Sequence, residues 1–337
     1  MTITRILLPL LLVTSTASAA DLTIRFLDVG QGDAVLVTTP DGKSMLYDAG
    51  RGRTAADLLN RYGVKQLDLA VMSQGDADHI GGFEFVAPSF KPKVLLNNGL
   101  AKSTQTYARV LAAFKAAGSQ GILASNRTIN LGTQVKLQVL PAPAGVPKNN
   151  QNANSVGVLL TYGKFKAFFG GDAEPAETAG WARTFGPQLS GVQVYKALHH
   201  GSKHNDTRSF LQLVRPQTVV IGVGKNNYGH PSSEALALYE GVNANVFRTD
   251  LNGTVTITVK PDGSYTVSGE RGLGTRRTTT PTAPQPATPT VPASSESSGF
   301  YRNCTEARAA GAVNIRTGEP GYRAALDRDG DGVACER

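Results

Sequence analysis

The chain of 337 residues has five histidines, and all of them fall in three short stretches. His79 closes the run "SQGDADHIGG", Ser73 to Gly82. His199, His200 and His204 share "ALHHGSKHND", and His230 sits in "NNYGHPSS". Each stretch follows an apolar run that reads as a strand and precedes a helix signal. Such a distribution requires a fold that brings distant strand ends to one edge, where α/β proteins gather reactive groups. One histidine so placed is more often a cap or a core residue; three clusters with none elsewhere read as a shared site. Acids join them. Asp76 and Asp78 stand beside His79 in a loop tight enough to aim several side chains at one ion, whereas a helix N-cap needs only one acid. Asp172 ends the apolar "KFKAFFGGD", and Gly170-Gly171 before it lets backbone pass close to a ligand.

The strand signals around these stretches fix a fold class. Leu22–Asp28, Ala34–Thr39 and Ser44–Asp48 read as strands, with Asp41-Gly42 as a hairpin turn. Thr54–Tyr62 has helical spacing and Leu67–Met72 is an apolar strand. Val94–Asn97, Thr104–Ala117, Thr133–Leu140, Val156–Thr161 and Phe165–Phe169 continue the alternation. So do Val192–Ala197, Thr207–Leu213, Thr218–Gly222 and Ser232–Tyr239, and the domain closes on Thr254–Val259 and Tyr265–Ser268. Strand hairpins at both ends with βα units between predict sheets covered by helices, an α/β or α+β layering. Hydrophobic residues make up 40% of the chain, enough to give such layers a core.

The two ends read differently. Residues 1–19 have the form of a signal peptide: Arg5, the apolar Ile6 to Val13, then Ala17-Ser18-Ala19 as a small-x-small cleavage site. The apolar part falls short of the roughly 20 residues that span a bilayer. This predicts export, a mature chain starting near Ala20 or Asp21, no integral membrane segment, and a soluble product in the periplasm or at the cell surface. After the main domain, residues 20–270, the stretch 271–298 is a linker. Its "TTTPTAPQPATPTVPASSESS" cannot bury enough apolar surface to offset its ordering entropy. In the last unit, residues 299–337, Cys304 and Cys335 most simply read as a disulfide in an oxidising compartment. "DRDGDGVACE" there places Asp327, Asp329 and Asp331 at alternate positions ahead of Glu336. A loop can wrap such oxygens around Ca²⁺, as at the start of an EF-hand loop, although the twelve-residue spacing is absent. The net charge of +8 suits an anionic partner such as nucleic acid, but many enzymes of neutral substrates look the same.

Seven motifs make the reading more specific. "FLDVGQGDAVLV", "LYDAG", "SQGDADHIGG", "NANSVGVLL", "GGDAEPAE", "LHHGS" and "NNYGHP" occur in the order found in the metallo-β-lactamase superfamily. More narrowly, residues 21–270 resemble its ComEC/competence-type hydrolase domain. The resemblance implies an αββα sandwich with a metal site along one edge and a phosphoester-cleaving, nuclease-type activity. Residue by residue it implies Asp76, Asp78, His79 and Asp172 as metal ligands, with His200 and His230 as the later imidazoles. Which of His200 and His230 binds metal, and which handles protons, stays open. Asp48 matches the family's ligand-orienting aspartate, while Asn152 and Asn154 lie where other branches carry a histidine. Residues 299–337 resemble the excalibur domain of exported bacterial proteins, implying a Ca²⁺-binding fold stapled by Cys304–Cys335 and a possible link to the cell envelope.

The departure from the family is Gln74, where a first histidine usually stands. With Asp76, Asn154 and a shared Asp172, it would make one half of the site mostly oxygen, which favours Mn²⁺ or Mg²⁺ over Zn²⁺. Two readings follow: an enzyme with a hard or partly filled first site, or a protein that has lost catalysis and kept binding. In the first, the site lowers the pKa of a bound water, and in-line attack on phosphorus expels an alkoxide. Asp78 and the His199–His200 pair carry that catalysis, one histidine supplying the leaving-group proton. The backbone N–H groups of the turn Gly30-Gln31-Gly32-Asp33 and of Gly201, with the Ser202 hydroxyl, are expected at phosphate oxygens, the alternative for "GQGD" being a plain tight turn between strands. Lys196, Lys203 and Lys225 are expected either to track a nucleic-acid backbone or to be solvated surface. The remaining alternatives are a hydrolase of another phosphoester, such as a nucleotide or phosphocholine, and a non-catalytic DNA-binding protein.

Overall fold

Period-two burial in the strands dictates the layering. The computed structural model describes residues 21–272 and, further on, residues 301, 303–309, 312–316, 319, 321–327 and 333–336. The expected signal peptide and all but the first two residues of the expected linker, with Asp329 and Asp331, lie outside the described residues. In chain order the larger unit runs β1 (Leu22–Phe26), β2 (Val35–Thr38), β3 (Ser44–Tyr47), α1 (Thr54–Arg61), β4 (Leu69–Val71), α2 (Ala77–Ile80), α3 (Phe83–Phe90) and β5 (Val94–Asn97). It continues with α4 (Gln105–Ala116), β6 (Gln120–Leu123), β7 (Arg127–Leu131), β8 (Val135–Leu140), β9 (Gly157–Tyr162), β10 (Phe165–Phe169), α5 (Pro175–Leu189) and β11 (Val194–Lys196). Last come α6 (Arg208–Val214), β12 (Thr218–Ile221), α7 (Ser233–Glu240), β13 (Asn245–Arg248), α8 (Thr249–Asn252), β14 (Val255–Val259) and β15 (Tyr265–Gly269).

Two sheets result, of order β15-β14-β1-β2-β3-β4-β5-β6 and β13-β12-β11-β10-β9-β8-β7. Alternate residues face alternate sides of a strand. Leu22, Ile24, Phe26, Val35, Val37, Met45 and Tyr47 of the first sheet meet Phe165, Ala167, Phe169, Val158 and Leu160 of the second in the central core. The opposite faces take the helices. Leu36, Leu46 and Ala70 pack under α1, α3 and α4 through Leu59, Phe83, Val86 and Phe114. Phe168, Tyr195 and Val219 pack under α5, α6 and α7 through Trp181, Leu211 and Tyr239. The result is an αββα sandwich, as the motifs implied. Each such large apolar side chain contributes about 1.5–3 kcal/mol by leaving water.

Strand direction gathers the site. The steps β3–β4–β5–β6 and β10–β11–β12–β13 are parallel, the other pairings antiparallel. Asp48 follows β3, the run 73–79 follows β4, Asp172 follows β10, His199 and His200 follow β11, and His230 lies beyond β12. Ligand sites in α/β sheets form outside the carboxyl ends of parallel strands, and these segments all leave such ends.

Contacts divide the chain into units within Met1–Pro281 and within Thr282–Arg337. The second holds helix α9 (Cys304–Ala309) and the short antiparallel pair β16 (Ile315–Arg316) and β17 (Val333–Ala334). Its core is small: Ala307, Ile315, Leu326 and Ala334 beside Cys335. Cys304 and Cys335 are disulfide-bonded, with Cα atoms 5.0 Å apart. Closing a loop of that length adds roughly 3–4 kcal/mol to a unit with little apolar surface to bury. Asp327 accepts a hydrogen bond from the Tyr322 hydroxyl at 2.8 Å.

Candidate metal centre

The site is assembled from the back forward. Asp48 ends β3 in a left-handed conformation, φ 57°, and is fully buried. The Ser73 backbone N–H donates to its Oδ1 at 2.8 Å and the Ser73 hydroxyl donates to its Oδ2 at 2.6 Å. The same Oδ2 lies 2.8 Å from His79 Nδ1, which turns His79 Nε2 toward Asp172 Oδ2 at 3.0 Å. A carboxylate that anchors one ring nitrogen fixes where the other points, the usual way a ligand histidine is oriented. Burial opposes a charge on His79, yet Asp172 and Asp48 hold its pKa well above the ordinary imidazole value.

Helix α2 carries the acids of the opening run. Asp76 takes the N-cap position but makes no capping bond with its side chain, which pairs instead with Lys102. One residue into the helix, Asp78 stands with Oδ2 3.6 Å from His200 Nε2 and Oδ1 3.7 Å from Arg51. Although burial alone would raise the Asp78 pKa, the histidines His200 and His79 hold it well below the usual carboxylate range. Asp172 behaves in the same way. Burial opposes its charge, but His79 and His200 outweigh that and keep it ionised. Gly171 makes this placement possible: at φ +56° it passes so close to Ser73 and Ser155 that a Cβ would lie 2.9 Å from each.

The histidine pair after β11 is bent into place. His199 and His200 both occupy left-handed backbone, φ 47° and 56°, a conformation uncommon outside glycine but one that histidine adopts more readily than most. His200 thereby directs Nδ1 to the Gly222 carbonyl at 2.8 Å and Nε2 into the cluster. Burial works against protonating His200, but Asp33 and Asp172 push its pKa up to about 10. His199 is more exposed, with Nε2 3.6 Å from Asp172 Oδ2, and burial pulls its pKa down. His230 completes the group, its ring centroid 5.5 Å from that of His199 and 6.4 Å from that of His200. Burial, with His199 and His200 nearby, lowers the His230 pKa to about 4.

The fit to a cation rests on atoms left over. Gln74 Oε1, Asp172 Oδ1, His200 Nε2 and His230 Nδ1 are buried and make no hydrogen bond within the chain. Orphaned polar atoms of this kind are costly unless something else satisfies them. Three of these residues, Asp172, His200 and His230, line one cleft, and oxygen and nitrogen lone pairs of this kind are what a divalent ion takes. One atom each of Asp33, His79, Asp172 and His200 also lies within 4.8 Å of the others.

Several expectations are corrected by placement. Asp33 was expected at phosphate; it is instead buried at 1% exposure, with Oδ2 2.5 Å from Lys196 Nζ and Oδ1 3.5 Å from His200 Nδ1. It sits behind His200, on the nitrogen that faces away from Asp78. Lys196 is neither surface nor a backbone-tracking cation. It is fully buried and donates to the carbonyls of Gly171 at 3.0 Å and Ala197 at 2.8 Å. Asn154 does not stand beside Gln74 as a free donor: its Oδ1 accepts from Lys148, and its Nδ2 donates to the Pro147 and Asn150 carbonyls. Ser202 lines a neighbouring cleft with Lys203, and Lys203 and Lys225 are both exposed.

Other members of the set come together. A cleft of about 240 Å³ is lined by Gln31, Asp76, Asp78, Asn152, Asp172, His199, His200 and His230, joined by Arg51 and Tyr228. Gln74 donates through Nε2 to Asp172 Oδ2 at 3.0 Å. The turn between β1 and β2 is welded to α2: Asp33 N–H donates to the Asp78 carbonyl at 3.0 Å, and a Cβ on Gly32 would lie 2.4 Å from that oxygen. Sequence reasoning did not find Arg51, Tyr228 or the buried role of Lys196. A signal for Lys196 existed, since a lysine on a strand flanked by parallel neighbours must find a carboxylate.

Residues 27–225 match the model of the metallo-beta-lactamase superfamily, and residues 301–336 match that of the Excalibur calcium-binding domain. The chain is similar to ComE operon protein 3 of Bacillus subtilis, 28% identical over 256 residues, covering 69% of this chain and 32% of that protein. It is also similar to Recombination protein 2 of Haemophilus influenzae, 30% identical over 244 residues, covering 68% of this chain and 28% of that protein. The chain thus spans between 28% and 32% of the length of these relatives. Among solved structures, it resembles a metal-dependent hydrolase of the beta-lactamase superfamily at 12% identity and TM-score 0.45, over 73% of this chain and 100% of that one.

Proposed function

The chain belongs to the metallo-beta-lactamase superfamily, and on that premise we propose that it is an exported, divalent-metal-dependent phosphodiesterase whose substrate is DNA. The observation that carries the reading is a set of buried donors without hydrogen bonds, those of Asp172, His200 and His230 on residues that line an open polar cleft. Asp78, His79, Asp172 and one of His200 and His230 would hold one cation; Gln74 and Asp76, sharing Asp172, would complete a harder position. Such a set suits Mn²⁺ or Mg²⁺ better than Zn²⁺. When bound, the metal supplies an acidified water and a polarised phosphoryl oxygen.

The chain's own residues do the rest. Asp48 holds His79 in one ring orientation, and Lys196 holds the Gly171 carbonyl next to Asp172. Arg51 and Gln31 line the cleft where a phosphodiester would lie, and the guanidinium complements its charge. His199, 30% exposed at the cleft, is the imidazole placed to hand a proton to the departing alkoxide. Export and the extracytoplasmic setting rest on the N-terminal signal pattern and the disulfide; no helix among the described residues is long and apolar enough to cross a membrane. Residues 299–337, after the linker 271–298, form the module that takes Ca²⁺ through Asp327, Asp329, Asp331 and Glu336 and reaches the cell envelope.

The test uses the full chain with denatured, single-stranded plasmid DNA and Mn²⁺, Mg²⁺ or Zn²⁺. Wild type should cleave with Mn²⁺ or Mg²⁺, and Asp78→Ala should lose at least roughly a hundredfold in rate. DNA retained without cleavage, in a salt-sensitive manner, would make the protein a binder with a blunted Gln74 site. Turnover of a small phosphoester alone would reassign the substrate.

A further inference from the structure

Among the described residues the Phe, Tyr and Trp rings are buried or half-buried, with one exception. Among the described residues Tyr228 is the one strongly exposed aromatic, at 67% exposure, and it stands on the lip of the metal cleft. A lone exposed ring needs no explanation on most surfaces. Here the loop beneath it is braced. The Asn226 side chain donates to the Gly224 and His230 carbonyls, both at 2.8 Å, and its Oδ1 accepts from the Tyr228 and His230 N–H groups at 3.0 and 3.1 Å. One amide therefore holds both sides of the loop that carries the ring. The ring centroid lies 5.8 Å from that of His230. An exposed ring on a fixed mount, beside a candidate ligand, is what a stacking platform needs.

The shape of the surroundings says what stacks there. The metal cleft is not a blind pocket. It shares Asp76 and Asn152 with an open cleft of about 660 Å³ that Lys102, Ser103 and Asn149 also line. It shares Tyr228 and His230 with a second of about 320 Å³, lined by Ser202, Lys203 and Ser232, with Glu234 its only carboxylate. Polar clefts that share walls with the central one on both sides, with Lys102 and Lys203 along them, fit a chain molecule rather than a compact ester. A ring can stack only on a base that has left its own stack, and base–aromatic stacking tolerates any base.

We propose that Tyr228 stacks on the nucleobase next to the scissile phosphate, so that the site takes unstacked, single-stranded polynucleotide running through the Ser202–Lys203–Ser232 cleft. This rests on the phosphodiesterase reading and adds which form of the polymer enters and what holds it.

The full chain is tested in two ways. In chelator, without turnover, a single-stranded oligonucleotide carrying 2-aminopurine should be quenched on binding. Quenching should persist in Tyr228→Phe and be lost in Tyr228→Ala, with binding weakened roughly tenfold or more. With Mn²⁺, Tyr228→Ala should raise KM on a single-stranded oligonucleotide by a similar factor while kcat changes little. An abasic residue beside the cleavage point should raise the wild-type KM likewise, and the two losses should not add. Equal KM for wild type and Tyr228→Ala, additive losses, or duplex taken as well as single strand would overturn the proposal. Tyr228-dependent quenching in a protein that cleaves nothing would keep it and remove the phosphodiesterase reading instead.

Discussion

The two halves of the metal cleft are built on different principles. Around Asp78, His79 and Asp172 the protein is crowded and braced from behind: Asp48 and Ser73 fix one imidazole, while Asp33 and Lys196 stand under the other. Around Gln74 and Asp76 it is sparse. An amide replaces the expected imidazole, Asp76 leans on Lys102, and Asn154 is spent on its own loop. The crowded half concentrates carboxylates and imidazoles that raise or lower one another's pKa, and it keeps its shape through buried partners. The sparse half offers oxygen with little support. The difference teaches that the buried support behind Asp78, His79 and Asp172 is complete even though an amide stands at position 74.

Three substitutions would break or sharpen the contrast. The largest effect is expected behind the crowded half. Lys196→Met leaves Asp33 buried without its closest cation, and removing one partner of a buried pair costs about 3–5 kcal/mol. Denaturant unfolding of the metal-free protein measures this; a loss below about 1 kcal/mol would mean the pair is not structural. Next comes Asp48→Asn, which keeps the shape but weakens the hold on His79 Nδ1. Mn²⁺ affinity by calorimetric titration should fall about 10–100-fold, with the folding midpoint little changed. The smallest is Gln74→His in the sparse half. An added imidazole should shift preference toward Zn²⁺ over Mn²⁺ by roughly tenfold in competition titration. No shift would show that the sparse half does not contact the ion.

Much of this was legible before any coordinates. The strand pattern is visible because inter-sheet positions alternate with helix-facing ones, as in Met45, Leu46 and Tyr47. The ligand runs are visible because they follow apolar strands. Some elements escaped for local reasons. Helices α3 and α5 contain Pro88 and Pro187, which contradict helix signals, and β6 shows little burial to betray a strand. Residues 120–131 and 245–248 hold edge or short strands whose polar residues resemble loop. Within the site, Asp33 was expected at substrate phosphate and Lys196 at substrate or solvent, because a sequence shows charge but not depth. Only the pairing of two buried groups from β11 and the first turn reveals that they belong to the protein rather than to its ligand.

Gly32, wedged against the Asp78 carbonyl while its neighbour Asp33 bonds to the same oxygen, has a consequence for how this family member can change. Any side chain introduced at 32 must shove the helix that carries Asp78 and His79 out of place. Evolution, or an engineer, therefore cannot reshape this turn without moving the cluster beneath it. The two properties are inherited as one.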